Sequence, residues 1–275
     1  MKENAIPHSV IEGKDGWYYL GNYYSNTLND HFGNDNFSNI ELEKIKQNLL
    51  KLDSYFKSQN IKYCIVVPPN KNTIYPEYLP FQLNKKKTKL DVLKVYLKNS
   101  DIPFIDLTQT LKKHKDSIIL YYKTDSHWNS YGAYLGYKKI MDHISNQIEI
   151  NSLSLDDYIL EKKHEKYGDL TSLLKLRIKE ENIRLVNEDL NSNYNKRDEF
   201  LSFINDKNNS SKLLMFRDSF ANDLIPFFND TFAETTYIKY YNIKEKVLKE
   251  KQPDFIIIEV VERDLRKLLK IKSPL

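Results

Sequence analysis

Two stretches of the chain hold residue types that can do nucleophilic chemistry. The first is Lys212-Leu213-Leu214-Met215-Phe216-Arg217-Asp218-Ser219-Phe220, an apolar run long enough for a buried strand that stops at Arg-Asp-Ser. A strand that ends there and turns into a helix sets Ser219 at the carboxyl edge of a sheet, beside the unpaired N–H groups of a helix start. Those groups can hold the oxyanion that forms when a serine attacks a carbonyl. Alternatively, Asp218 or Ser219 simply caps the helix. The second stretch is Asp125-Ser126-His127. A carboxylate two residues from a histidine can hold its Nδ1–H, fix the tautomer and leave Nε2 to take the serine proton. The plainer alternative is a local turn, with Asp125 capping and Trp128 packed below. The same spacing suits a metal, but no other His or Cys cluster completes a ligand set, so no metal is expected. His8, His31, His114, His143 and His164 fall in polar or helical surroundings and read as surface residues.

The elements that must position these residues alternate between strand and helix. Val10–Leu20 reads as a hairpin around Asp15-Gly16. Apolar residues recur with helical spacing from Asn39 to Lys57. Ile61–Val67 is a strand whose exit is forced to be extended by Pro68-Pro69, and an ordered loop runs through Pro76 and Pro80. A helix over Lys85–Asn99, a strand at Phe104–Leu107 and a brief helix from Leu111 follow. Ser130 is expected to cap a helix running to about Ile148. After the Ser219 helix come a strand at Glu234–Tyr241, a helix at Ile243–Glu250, a strand at Asp254–Val261 and a closing helix. Near-continuous apolar strands alternating with helices predict a parallel sheet covered on both faces. The strand ends would gather Asn70, Asp106, Arg217, Ser219, Tyr240, Asn242 and Glu262-Arg263 at one edge. Residues 151–211 are polar and weakly periodic, and read as an excursion or lid inserted between two halves of that sheet.

Composition narrows the function. The 275 residues are 40% hydrophobic and 29% charged, which fits a globular fold with a real core. A net charge of +4, from 42 basic and 38 acidic residues, is too mild for a nucleic-acid partner. Lys85-Lys86-Lys87 and Lys162-Lys163 read as solvated faces. Cys64 stands alone in a strand pattern and reads as packing. The 20 tyrosines hint at a carbohydrate surface. Met1–Pro7 has no apolar signal core, so the chain is either cytoplasmic or separated from a leader or anchor.

The motifs also carry a resemblance. Thr124-Asp125-Ser126-His127-Trp128-Asn129 followed by Gly132-Ala133, and Arg217-Asp218-Ser219-Phe220, resemble the Asp-x-His-Trp and nucleophile motifs of the alginate O-acetyltransferase (AlgX/AlgJ-like) family, a branch of the SGNH hydrolase-like proteins. Gly13–Trp17, Val67–Pro76, Gly168-Asp169-Leu170 and Pro253–Arg263 match further blocks in the family's order. The resemblance implies an α/β fold, a three-layer α/β/α sandwich with a mostly parallel sheet, in a permuted arrangement with Asp and His before Ser. Residues 1–275 would then form one catalytic domain, with 1–38 as hairpin and lead-in. It implies transfer of an acetyl group onto hydroxyls of an exported or cell-surface polysaccharide, with Ser219 as nucleophile, His127 as base and Asp125 as its orienting partner. The glycine and asparagine of the usual SGNH oxyanion hole have no match, which leaves the Ser219 N–H with Arg217 and Asn242 as candidates. Asn70, Trp128 and Tyr240 are candidate substrate contacts. No Gly-rich phosphate loop is present, so no cofactor is expected and a membrane-bound protein would present the acetyl group. An esterase with water as acceptor, and a non-catalytic polysaccharide-binding or scaffold protein, are the rival functions.

Overall fold

Asp15 and Gly16 both adopt positive φ, 53° and 78°, the conformation of a two-residue hairpin turn. They close a hairpin between β1 (Val10–Glu12) and β2 (Tyr18–Leu20). The computed structural model describes residues 9–81, 86–162, 165–187, 193–197, 200–205 and 210–274; Met1–Pro7, His8, Lys85, Lys163 and His164 lie outside that set. After α1 (Thr27–His31), the long α2 (Asn39–Ser58) opens with a capping box between Ser38 and Glu41. Then come β3 (Lys62–Val67), the short α3 (Lys71–Ile74) and a 3-10 turn at Pro76–Tyr78. Helix α4 (Lys89–Leu97) is set by a second box, Thr88 with Asp91. It begins four residues after the expected start. Strand β4 (Phe104–Asp106) and α5 (Thr108–His114) lead to α6 (Ser130–Ile144).

The cap of α6 is Asn129 rather than Ser130. Its Oδ1 accepts from the N–H groups of Tyr131 and Gly132, and Ser130 Oγ instead accepts from Leu185 N–H. Next come β5 (Ile159–Glu161), β6 (Glu165–Tyr167), α7 (Asp169–Leu173), β7 (Lys179–Glu181), β8 (Arg184–Val186), β9 (Asn193–Arg197) and β10 (Phe200–Ile204). The chain closes with β11 (Lys212–Phe216), a 3-10 turn at Ser219–Asp223, α8 (Ile225–Thr231), β12 (Glu234–Ile238), α9 (Glu245–Lys251) and β13 (Phe255–Glu259). The closing helix is of the 3-10 type, Glu262–Lys270.

The main sheet has the order β4-β3-β13-β11-β12-β10-β9; the first five are parallel, β10 pairs antiparallel with β12, and β9 antiparallel with β10. Alternation along the parallel strands sorts their side chains between two helical layers. Cys64, Val66, Leu213, Met215, Phe255 and Ile257 face α5, α6 and α8. Tyr63, Ile65, Val67, Leu214, Phe216, Ile256 and Ile258 face α2, α4 and α9. Each fully buried apolar side chain of this kind contributes about 1.5–3 kcal/mol. The result is a three-layer α/β/α sandwich.

Residues 151–211 are more than an excursion. The pairs β5–β8 and β6–β7 form separate ribbons, but β10 pairs with β12 over five residues and extends the sheet. Leu201 and Phe203 pack on the core on either side of Ser202, a two-residue period that the surrounding polar sequence obscures.

Candidate active site

Parallel β3, β13 and β11 end side by side, and the turns that follow them build the site. Strand β11 stops where Asp218 takes over its neighbours' hydrogen bonds. The Asp218 carboxylate accepts from Phe220 N–H and from Val261 N–H, each at 2.9 Å, and its own N–H donates to Glu259 Oε2 at 2.8 Å. Asp218 is therefore the cap of the turn, and it ties that turn to the end of β13. Glu259 is fully buried; burial and the nearby Asp218 push its carboxyl well above the ordinary range. Ser219 is left at the first position of the turn with its hydroxyl outward.

The opposing loop is pinched by an antiparallel bridge between Tyr121 and Trp128. Asp125 Oδ1 accepts from the His127 backbone N–H at 3.0 Å and lies 2.7 Å from His127 Nδ1. His127 Nε2 is 2.8 Å from Ser219 Oγ. Burial opposes ionisation of Asp125, but His127 and Lys166 outweigh it and hold the carboxyl well below its usual range. Trp128 is completely buried, and its indole N–H donates to the Phe220 carbonyl at 3.0 Å. The Phe220 ring lies 4.9 Å from the His127 ring, so the two loops are packed as well as hydrogen-bonded.

Four residues that the sequence pattern did not single out for this site hold the Asp125–His127 loop. Lys71, on α3, is buried, and its ammonium donates to the carbonyls of Tyr122, Lys123 and Asp125 at 3.1, 3.0 and 2.7 Å. Burial draws its pKa down to about 7, against the pull of Asp125, Asp169 and Glu180. Lys166, on β6, reaches Asp125 Oδ2 at 2.9 Å and lies over the Tyr122 ring. Asp169 accepts from both the N–H and the hydroxyl of Ser126 at 2.6 Å. Glu180, on β7, accepts from the N–H groups of Lys123 and Thr124 at 2.8 and 3.0 Å and from the Thr124 hydroxyl. Gly168 lies against Thr124 so closely that a Cβ would collide with its carbonyl. The polar ribbon β6–β7 is thus a brace for the loop. The Gly168-Asp169-Leu170 block was the one signal of it in the sequence.

Other expected residues go elsewhere. The Arg217 guanidinium is buried and donates to Asn222 Oδ1 at 2.5 Å and to the Asp218 carbonyl at 3.0 Å, so it stiffens the turn instead of facing a substrate. Tyr240 packs on the α2 side of the sheet beneath Lys244. Asn242 is exposed and its backbone bridges to Lys272. Both lie past the end of β12, which stops at Ile238, three residues short of the expected Tyr241. Asp106 pairs with Lys94 and lines a separate cavity of about 470 Å³. Asn70 does sit close by: its Oδ1 accepts from Arg263 at 3.4 Å, and the Arg263 guanidinium lies 5.0 Å from the Phe220 ring.

Asp125, His127 and Asp169 bring three potential metal-ligand atoms within 4.8 Å of one another. The Lys166 ammonium already occupies the cationic position at Asp125 Oδ2, and a metal would have to displace it against like charge.

Known structures share this fold. Bacillus cereus PatB1, solved with a sulfonyl adduct, matches over 98% of each chain at 19% identity and a TM-score of 0.72. The O-acetyltransferase domain of Pseudomonas putida AlgJ matches over 94% of this chain and 93% of its own, at 14% identity and a TM-score of 0.59. Pseudomonas aeruginosa AlgX matches over 92% of this chain and 62% of its own, at 15% identity and a TM-score of 0.61. No curated protein matches by sequence. A family model described as the SGNH hydrolase-like domain of the acetyltransferase AlgX matches residues 10–212. The chain therefore belongs to the AlgX family of SGNH hydrolase-like acetyltransferase domains.

Proposed function

We propose that the protein moves an acetyl group through Ser219 onto hydroxyls of an exported or cell-surface polysaccharide. The observation that supports this most directly is the continuous Asp125–His127–Ser219 relay, with links of 2.7 and 2.8 Å. His127 Nε2 takes the Ser219 proton as Oγ attacks the acetyl carbonyl, and the same proton leaves with the departing donor group. The acetyl-serine is then attacked by a sugar hydroxyl whose proton passes to His127 and back to Ser219 Oγ as that bond breaks. Asp125 holds the imidazole in the required tautomer throughout. Phe220 N–H is already engaged by Asp218, so the Ser219 N–H is the backbone donor for the oxyanion, and Asn70 and Arg263, which meet beside the Phe220 ring, are the side-chain candidates. The work is done outside the cytoplasm by a single catalytic domain, with the acetyl group presented by a membrane-bound partner. Among the described residues no helix is long and apolar enough to cross a membrane.

Intact-protein mass spectrometry after mixing with a chromogenic acetyl ester tests this. Wild type should gain an acetyl group that Ser219→Ala does not, and added oligosaccharide should discharge it faster than water. An adduct that water clears as fast identifies an esterase. No adduct and no ester cleavage identifies a binding protein.

A further inference from the structure

Between Asp169 and Glu180 the chain has no acidic residue and reads Leu170-Thr171-Ser172-Leu173-Leu174-Lys175-Leu176-Arg177-Ile178-Lys179. This is the tip of the segment whose ends are clasped by β6 and β7. An ordinary connecting tip would be polar. Here Leu173, Leu174, Leu176 and Ile178 are each between 37% and 47% exposed. Lys175, Arg177 and Lys179, which alternate with them, are exposed as well. Lys179 pairs with Glu165, but neither Lys175 nor Arg177 forms an ion pair among the described residues. Lys175 adopts φ 57° and reverses the chain at the tip. Tyr167, opposite Lys179 in the β6–β7 ribbon, is exposed as well.

Contiguous apolar side chains left in water mark a surface that is covered by something else. Two features select the occupant. Leucine is under-represented among the residues that anchor protein partners, where Trp, Tyr and Arg dominate. Apolar side chains interleaved with unpaired lysine and arginine instead match a lipid headgroup layer, where the apolar groups enter the acyl boundary and the long basic side chains reach anionic headgroups.

We propose that the Leu173–Lys179 tip docks the protein on an anionic lipid surface. The tip is joined to the catalytic loop through Gly168, Asp169 and the N–H groups of Leu170 and Thr171, which donate to the Thr124 carbonyl at 3.2 and 3.3 Å. Docking therefore holds the mouth of the Ser219 site close to the lipid plane. The lipid contact does not depend on which acyl acceptor the site uses.

Co-sedimentation with vesicles of phosphatidylcholine alone, and of phosphatidylcholine mixed with phosphatidylglycerol, tests the docking. Wild type should bind the mixed vesicles more tightly. Lys175→Glu with Arg177→Glu should weaken that binding about 30-fold or more, since each basic residue at such a surface is worth roughly a factor of five. Leu174→Ser with Leu176→Ser should weaken binding to both vesicle types. A control of equal charge change, Lys44→Glu with Lys51→Glu, alters exposed positions on α2 in the opposite helical layer and should change binding little. All variants should keep wild-type ester hydrolysis, which shows that they are folded. Failure of wild type to bind mixed vesicles, or an equal loss in the α2 control, would overturn the proposal.

Discussion

Gly168→Ala isolates the contact between the polar ribbon and the Asp125–His127 loop. Gly168 has φ −70° and ψ 149°, a conformation open to any residue, so alanine meets no backbone strain there. What it meets is space already filled. Its Cβ would stand less than 3.0 Å from the Thr124 carbonyl carbon and oxygen and from Thr124 Oγ1, where ordinary contact begins at 3.4 Å. Backbone cannot rotate away as a side-chain tip can, so either α7 lifts or Thr124 moves. Overpacking of this sort costs about 1–3 kcal/mol. Losing the Leu170 and Thr171 hydrogen bonds to the Thr124 carbonyl adds about 1 kcal/mol each. The stiffer unfolded chain returns about 0.4–1 kcal/mol. The expected net loss is ~2–5 kcal/mol. Thr124 adjoins Asp125, and a displacement near 1 Å at a reacting group costs about 100-fold in rate. Urea denaturation and kcat on a chromogenic acetyl ester, measured where the variant is folded, separate the two effects. Gly16→Ala is the comparison: it places alanine at φ 78° in open space, so it should lose about 1 kcal/mol of stability and no activity. A Gly168→Ala protein with wild-type kcat and stability would refute the bracing role of the ribbon.

Asp125→Asn should lower kcat by about 10³–10⁴ through loss of the tautomer-fixing carboxylate, while ligand-free folding measured by circular dichroism persists; retention of more than a tenth of the activity would remove Asp125 from the relay. Lys71→Met strips three loop carbonyls, two of them buried, of their donor and should destabilise the fold by about 2–4 kcal/mol. The same lysine gives a pH signature. Its folded pKa of about 7 lies below its ordinary 10.5, so between those values the unfolded chain holds a proton that the folded one lacks. Stability from this group therefore rises with pH across the window, by at most about 1.4 kcal/mol per unit. Urea midpoints should show that rise in wild type and not in Lys71→Met. Glu262 behaves oppositely. Burial lifts its carboxyl from 4.5 to about 8, so the folded chain holds the extra proton and stability falls as pH climbs through that range. Glu262→Gln, whose amide oxygen can still accept from Asn70 N–H and Thr73 Oγ1, should flatten this fall; a persisting slope of the same size would place the titration elsewhere.

The five parallel strands were legible in the sequence because they are short, largely apolar runs, whereas β9 and β10 were masked by the polar sequence around them. Asp125, His127 and Ser219 were legible because a two-residue spacing and a strand terminus each constrain geometry locally. Arg217 and Asn242 were misplaced as oxyanion donors for want of direction. Arg217 turns to Asn222, and Asn242 lies beyond a strand that stops at Ile238. The bracing residues were hidden for a different reason. Lys166, Asp169 and Glu180 belong to a stretch whose polarity reads as solvent exposure, yet these side chains are directed at the N–H groups, hydroxyls and carboxylate of another loop. Polar residues satisfying buried backbone leave no periodic trace. Asn129 lost the cap to Ser130 on paper because both types cap well, and only the side-chain geometry decides.

The place of β13 in the sheet has a consequence for how the chain is made. It lies between β3 and β11, yet it leaves the ribosome after every other strand described in this sheet. Until residues 255–259 emerge, the β3–β4 pair and the β11–β12 pair have no shared neighbour, and each presents an unpaired parallel edge. Contacts that span so much sequence close slowly, and open edges of this kind invite association between chains. This late, central strand is thus the keystone that aligns the His127 loop with Ser219. Hydrolytic competence should appear only once residues 255–259 have been made, in one step and without a partly active shorter fragment.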